Sequence, residues 1–200
     1  MIEHSKFEHQ LFDLRKIILD GVSFFIVWQD LNKEYEDSIQ NLGQHKGFWW
    51  KYRGFFAPAR KALLWSALIQ LSKAFDKDNR NISFGKLLKI ALENRKEFAP
   101  HATRSSLNAI LDKIDNNTEL LHRLRRYRNQ RLAHHDADLM ENIELPSEEV
   151  RTLIKETTSI YNSIKYSYEG KYDDFDDIME TVYLHTKQLI STVSEEDKHG

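Results

Sequence analysis

The stretch Pro146-Ser-Glu-Glu-Val-Arg-Thr-Leu-Ile-Lys-Glu-Thr-Thr-Ser-Ile-Tyr-Asn-Ser-Ile164 indicates most clearly how this chain folds. Proline followed by serine and two glutamates is typical of a helix start, because acidic side chains stabilise the positive end of the helix dipole. The residues of one helix face then recur every three or four positions. They are Val150, Leu153, Ile154, Thr157, Ile160, Tyr161 and Ile164. Gly170 predicts where this helix ends.

The same spacing extends over most of the 200 residues. Residues 7–42 predict one long helix, or two helices divided at Gly21. Further helices are predicted over residues 64–75, 83–91 with Ser83 as N-cap, 107–114, from 120 into the segment after Leu124, and 173–189. Gly43, Gly47, Gly54 and Pro58 predict a looser connection. No segment alternates like a strand, so we expect an all-α bundle of about five to seven helices.

We expect one structural domain overall, in three parts. Residues 1–44 form a long N-terminal helical segment that packs on the core, residues 45–193 form the main helical domain, and residues 194–200 form a flexible tail.

Composition excludes several classes of protein. Hydrophobic residues make up 40% of the chain and charged residues 30%, as in globular proteins. The net charge of −2 provides no general attraction for nucleic acid, so such binding needs a local basic patch. The absence of cysteine excludes disulfides and thiolate chemistry. We find neither a signal peptide nor a membrane span, and we expect a cytoplasmic protein with no membrane partner.

The segment Arg128-Asn-Gln-Arg-Leu-Ala-His-His-Asp136 combines arginine, an amide and histidine. If a helix continues through it at about 100° per residue, Arg128 and His135 share a face otherwise made of leucine. His134 lies about 120° away from Arg128 on such a helix, and needs a kink or a partner chain to approach it. A charge on a leucine face costs free energy unless it is paired or faces a polar cleft.

These residue types suit phosphodiester chemistry without a metal or other cofactor. Arginine offers a planar set of donors that matches two phosphate oxygens, and histidine takes or gives a proton near neutral pH. RNA supplies its own nucleophile, the 2′-hydroxyl. Asn129 is positioned in sequence to orient the imidazole or hold a phosphate oxygen. The surrounding arginines are candidates for RNA binding: Arg123, Arg125, Arg126 and Arg131.

The motif resembles that of the HEPN superfamily, which consists of small helical domains with an Arg-polar-x-x-x-His type motif. Five residues separate Arg128 from His134, and six separate it from His135. Two further blocks, Arg60–Asp76 and Ser83–Leu88, resemble the abortive-infection, AbiU-like branch of that superfamily. In that branch, a Leu-Ser-Lys-x-Phe-Asp-like helix and a short Ser-initiated helix precede the Arg-Asn-x-Arg-Leu-Ala-His-x-Asp segment. The resemblance covers about residues 45–170.

The resemblance implies a homodimer with both motifs at the interface, and a metal-independent endoribonuclease of a toxin–antitoxin or antiviral system. Arg128 would bind phosphate, Asn129 would be the polar second residue, and His134 would be catalytic. The small Ala133 favours His134, whereas ideal-helix geometry favours His135. Related toxins that are silenced by modification carry tyrosine two residues after the histidine. Asp136 stands there in this chain, so the sequence does not support that form of control by an antitoxin.

Other interpretations remain open at this stage. The chain is alternatively a catalytically inactive HEPN module that binds RNA, a nucleotide or a partner protein. Residues 48–56 interleave aromatic and basic side chains, which suits either single-stranded RNA or a packed connection. The adjacent histidines of His134-His135-Asp136, with Asp138, do not match the usual spacing of metal ligands, so we expect no metal.

Overall fold

A computed structural model of the chain describes residues 3–40, 48–78, 80–133 and 146–196. For residues 48, 118, 127–133, 195 and 196 the description is limited to the backbone. All regular structure in these ranges is helical, which confirms the predicted all-α class.

Nine helices occur in the described ranges, in the order α1 His4–Gln40, α2 Phe48–Lys51, α3 Arg53–Ala74, α4 Phe84–Glu93, α5 Arg95–Phe98, α6 Arg104–Asn116, α7 Thr118–Ala133, α8 Ser147–Glu169 and α9 Phe175–Glu196. Two of them, α2 and α5, have only four residues each. The other seven are the longer helices that the apolar spacing predicted.

Most predicted helix ends are confirmed. Ser83 is the N-cap of α4, Asn117 separates α6 from α7, and α8 begins directly after Pro146. The long N-terminal pattern forms one helix, because Gly21 is tolerated within α1. The looser connection predicted at Gly54 and Pro58 is wrong, since both residues lie in the first turns of α3. Pro58 is the sixth residue of α3, where it cannot donate a backbone hydrogen bond to the carbonyl of Gly54, yet the helix continues through it.

The chain divides into two compact units. Unit 1 comprises Met1–Asp20 and Leu68–Asp173, and unit 2 comprises Gly21–Ala67 and Asp174–Gly200. The division at residues 44 and 45, and the flexibility of the tail, stay predictions.

The core of unit 1 lies where α4, α6 and α8 pack against one another. α4 contributes Leu87 and Leu88, and α6 contributes Leu107, all fully buried. α8 contributes the whole face that its sequence predicted, from Val150 to Ile164, and adds Ser167. Burying a leucine or isoleucine side chain stabilises the fold by about 1.5–3 kcal/mol, so this face alone accounts for a large share of the driving force.

Unit 2 has its own apolar cluster. Its buried members are Leu31, Trp49 and Ile190, with partly buried side chains from α1, α3 and α9 around them. The guanidinium of Arg60 lies 4.0 Å from the centroid of the Tyr35 ring and donates a hydrogen bond to Asn32. Lys187 pairs with Asp30 at 3.0 Å.

Asp173 joins three parts of unit 1. Its carboxylate accepts hydrogen bonds from Arg15 Nε at 2.7 Å and from Lys165 Nζ. Its backbone exchanges two hydrogen bonds with the Asn162 side chain, at 2.9 and 3.1 Å. Burial alone would raise the pKa of this carboxyl, but the hydrogen bonds and charges of Lys165 and Arg15 outweigh burial and lower it. The first half of α1, the end of α8 and the segment after Gly170 are therefore held together electrostatically.

Within the described ranges, no helix combines the length and apolar character needed to cross a membrane.

We expect Gly170→Ala to destabilise unit 1. Gly170 ends α8 with φ of 69°, in the left-handed region that costs other residues roughly 1–2 kcal/mol. A Cβ there would also lie 3.3 Å from His101 Nε2. Urea denaturation should show a free energy of unfolding lower by at least about 1 kcal/mol. Gly85→Ala is the matched control, because a Cβ at Gly85 meets nothing within 4 Å and alanine favours the helix. Equal effects of both changes would contradict this reading of Gly170.

Asp173→Asn should lower stability in a pH-dependent way. A lowered carboxyl pKa stabilises the folded state above the unfolded value of about 3.9, and this contribution is lost as the pH falls through the folded pKa. The free energy of unfolding should fall by about 2 kcal/mol at pH 7, and the difference from the wild type should shrink as the pH falls below about 4. The exposed Asp112→Asn is the control. A difference that stays constant with pH would refute the electrostatic explanation.

Candidate functional site

The segment predicted to carry the chemistry begins on α7. This helix runs through Arg128, Asn129 and Arg131 to Ala133, so the predicted helical backbone is confirmed up to the residue before His134. The side chains of these residues, and the whole of His134 and His135, lie outside the described part of the chain. The approach of Arg128 to either histidine therefore stays a prediction.

Arg123 connects α7 to the start of α8. Its Nη2 donates a hydrogen bond to Glu149 Oε2, and both side chains are partly buried. Its Nε is buried and has no hydrogen-bond partner among the described residues. Because a carboxylate offsets its charge, Arg123 contributes less positive potential to the surface than the sequence suggested. Its predicted RNA binding stays untested.

Arg125 connects α7 to the end of α3. Its Nη2 donates a 2.7 Å hydrogen bond to the backbone carbonyl of Phe75, just after α3 ends at Ala74. That carbonyl belongs to the last turn of a helix, where oxygens lack partners within the helix. Arg125 therefore satisfies a helix end while keeping its charge at the surface of unit 1. Its neighbour Arg126 also has contacts within the chain.

A cavity of about 230 Å³ lies beside Arg125. Its basic lining residues are Lys77, Lys86 and Arg125, and its acidic ones are Asp76 and Asp115. The two sequence blocks that carried the resemblance, Arg60–Asp76 and Ser83–Leu88, both contribute to its wall. The sequence analysis did not single out Lys77 or Lys86, which the fold brings next to Arg125 of α7.

The aromatic and basic stretch 48–56 lies in unit 2. Trp49 is 4% exposed and packs against Tyr35 and Phe56, with ring centroids 5.3 and 5.9 Å away. Arg53 lies over the Trp50 ring at 5.9 Å. The sequence of this stretch suits either a surface for single-stranded RNA or a packed connection. The buried Trp49 fits the packed connection, whereas Phe55 is 68% exposed and is not packed in this way.

Among the described residues, no three or more histidine, cysteine or acidic side chains form a group that could hold a metal ion. His134, His135, Asp136 and Asp138 lie outside these residues.

The all-α fold, with the motif arginines on the late helix α7, is consistent with the class of HEPN-like helical domains. The family model of AbiU2, a family of HEPN proteins, matches residues 7–187. The chain therefore belongs to the HEPN AbiU2 family, an abortive-infection family, as the two blocks and the motif indicated. Searches of curated proteins and of solved structures gave no match.

We expect Arg125→Met to destabilise unit 1, because the Phe75 carbonyl would lose its donor while most of the side-chain packing is kept. An unsatisfied carbonyl costs about 1–3 kcal/mol, which urea denaturation can resolve. Arg104→Met is the control, since Arg104 is exposed at the start of α6. If both variants have the same free energy of unfolding as the wild type, the hydrogen bond to Phe75 does not contribute to stability.

Proposed function

We propose that this protein is a metal-independent endoribonuclease, a toxin or antiviral-defence effector that cleaves RNA at an Arg128–His134 site. The observation that carries the proposal is the family match over residues 7–187, because that range contains the whole motif from Arg128 to Asp136. The helical backbone of α7 carries the chain from Arg128 to the residue before His134, since the helix continues to Ala133.

The charge of α7 suits an RNA substrate. The helix holds five arginines and one glutamate, Glu119, so its formal charge is 5 − 1 = +4 with His122 neutral, and Glu149 of α8 offsets part of this charge by pairing with Arg123. The chain as a whole carries −2. Positive charge is thus concentrated on the helix that leads to the motif, and such a local patch attracts the phosphates of RNA.

The proposed reaction needs only groups that the motif and RNA supply. A histidine removes the proton of the 2′-hydroxyl, whose oxygen attacks the adjacent phosphorus, and the bond from phosphorus to the 5′-oxygen breaks. A protonated imidazole gives a proton to the departing 5′-oxygen. Arg128 stabilises the charge that develops on the phosphorane oxygens, assisted by Asn129 and Arg131. The products are a 2′,3′-cyclic phosphate and a 5′-hydroxyl.

The reaction benefits from two histidines, one as base and one as acid. A homodimer that places two motifs face to face would supply them, and it would let His134 approach Arg128 from the partner chain. His135 is the alternative within one chain. We place the protein in the cytoplasm, where RNA is accessible, and regard an antitoxin protein as a possible further partner.

The first test is incubation of total RNA with the purified protein in EDTA. We expect cleavage to 2′,3′-cyclic phosphate ends, and a loss of at least about a hundredfold in rate for His134→Ala, because general acid–base groups contribute about 10²–10⁴-fold. Light scattering should give the same oligomeric state for the variant and the wild type.

His122→Ala is the matched control, as His122 is an exposed histidine on the same helix. Full activity in His134→Ala and loss in His135→Ala would move the catalytic role to His135. Equal activity of the wild type and the triple variant Arg128→Ala/His134→Ala/His135→Ala would overturn the proposal. RNA binding without cleavage by the wild type would favour the inactive binding module.

A further inference from the structure

A second cavity in unit 1, of about 300 Å³, lies between α6 and α8 and serves no role in the proposed cleavage site. Two tyrosines, a histidine and a lysine give it its chemical character: Tyr166, Tyr172, His101 and Lys113. Ile110 and Ala102 form part of its apolar floor.

The two tyrosines form a stacked pair at the surface. Their ring centroids are 4.7 Å apart and their planes differ by 14°. Tyr166 is 39% exposed and Tyr172 is 66% exposed. Tyr172 therefore keeps most of its ring accessible to solvent while Tyr166 fixes the orientation of that ring. Exposed aromatic surface is unfavourable in water, and a rigid exposed ring is suited to stacking on a flat ligand.

The histidine side of the cavity is held firmly. The backbone N–H of His101 donates a 3.1 Å hydrogen bond to the Ser167 carbonyl near the end of α8. The His101 ring lies against Gly170, because a Cβ added to that glycine would come within 3.3 Å of His101 Nε2. The centroid of the His101 ring is 6.5 Å from the centroid of the Tyr166 ring. The three rings thus belong to one preorganised surface, which reduces the entropy cost of binding.

A lysine, Lys113, is among the described residues that line this cavity. None of the described residues that line it is acidic, and Lys113 is exposed without an acidic partner in the described ranges. Lys171, directly before Tyr172, is also exposed. Glu169 is turned to Lys165 at 3.7 Å, and Asp173 is bound by Arg15 and Lys165.

The walls also offer hydrogen-bond acceptors. The hydroxyls of Ser163 and Ser167 donate to the carbonyls of Ser159 and Ser163, at 2.8 and 2.7 Å. Because their protons are engaged, any further hydrogen bond that these hydroxyls make to a ligand is accepted by their oxygens. Flat rings, positive charge and acceptors are together the features that recognise a base with its phosphate.

We propose that this cavity binds an unpaired nucleobase of a single-stranded RNA, with the base stacked on Tyr172 and the adjacent phosphate near Lys113 and His101. This rests on the proposed function, in that it names single-stranded RNA as the substrate and supplies a contact away from the cleavage motif. The bases of a duplex are stacked on one another, so a duplex has no free face to place on Tyr172.

The test measures binding by fluorescence anisotropy, with a labelled ten-nucleotide single-stranded RNA of mixed sequence and the full-length protein in EDTA. Uncleavable 2′-O-methyl nucleotides keep the probe intact. We expect Tyr172→Ala to weaken binding about fivefold or more, and Tyr172→Phe to bind like the wild type, because stacking needs the ring. Tyr183→Ala is the matched control, as Tyr183 is an exposed tyrosine of unit 2. Lys113→Ala should reduce the salt dependence of binding.

Several results would overturn the inference. One is equal affinity of the wild type and Tyr172→Ala, even if both cleave RNA, in which case the proposed function stands. Another is a duplex that binds with the same dependence on Tyr172. A third is displacement of the probe by adenosine monophosphate at similar concentration, which would assign the cavity to a free nucleotide. A change in oligomeric state of Tyr172→Ala, with unchanged RNA affinity, would assign this surface to a second copy.

The two proposals fail independently. Binding that depends on Tyr172, in a wild type that does not cleave, supports the cavity and refutes the nuclease. A wild type that neither binds nor cleaves RNA refutes both.

Discussion

The mutual packing of α4, α6 and α8 is the constraint on which the functional part of this protein depends. α8 presents an almost continuous buried face, and even its polar member Thr157 is fully buried, with its hydroxyl donating to the Leu153 carbonyl at 2.6 Å. Burying this hydroxyl costs little free energy, because it donates a hydrogen bond to a carbonyl of its own helix. The face can therefore stay closely packed. With that core fixed, α7 follows α6 after the single residue Asn117, and α8 begins beside it. Leu121 and Leu124 of α7 are buried, so apolar packing contributes to the way in which the motif helix is held.

The arginines of α7 serve different purposes. Arg123 and Arg125 hold the helix to neighbouring elements, one through a carboxylate and one through a backbone carbonyl. Arg128 and Arg131 come one and two turns later, on the part of the helix that leads to His134. Tying the base of a helix to the core while its far end carries the reactive groups is a physical means of preorganising a site. In this view, Arg123 and Arg125 would support the proposed chemistry by positioning α7, and their own RNA binding stays a prediction.

The proposed cleavage motif and the tyrosine cavity belong to the same unit and share α6 as a neighbour of both α7 and α8. Electrostatic attraction at α7 carries no preference for single strands, whereas a stacking surface requires an unpaired base. The two features together would select flexible RNA, whose 2′-hydroxyl can reach the in-line position that cleavage needs. The Asp173 network fixes the chain on either side of Tyr172, which connects the stability of unit 1 to the shape of that cavity.

The sequence by itself determined the helices, most of their ends and the family, because apolar spacing, caps and short motifs are local properties of the chain. Ser83, Pro146 and Gly170 mark helix ends through their own side-chain and backbone properties. Residues 128–136 contain the arginine and histidine types on which the proposed chemistry depends. The prediction of a looser connection at Gly54 and Pro58 is wrong for the same reason. It uses only the local preferences of glycine and proline, whereas α3 includes both residues near its start. Only the tertiary structure decided that Arg125 meets Phe75, that Arg123 meets Glu149, and that Tyr166 and Tyr172 stack across from His101. The pairings of Arg125, Arg123 and His101 join residues of different helices or segments, and the stacking of Tyr166 and Tyr172 depends on how the chain turns after Gly170. Packing and this turn, which no local pattern encodes, bring the groups together.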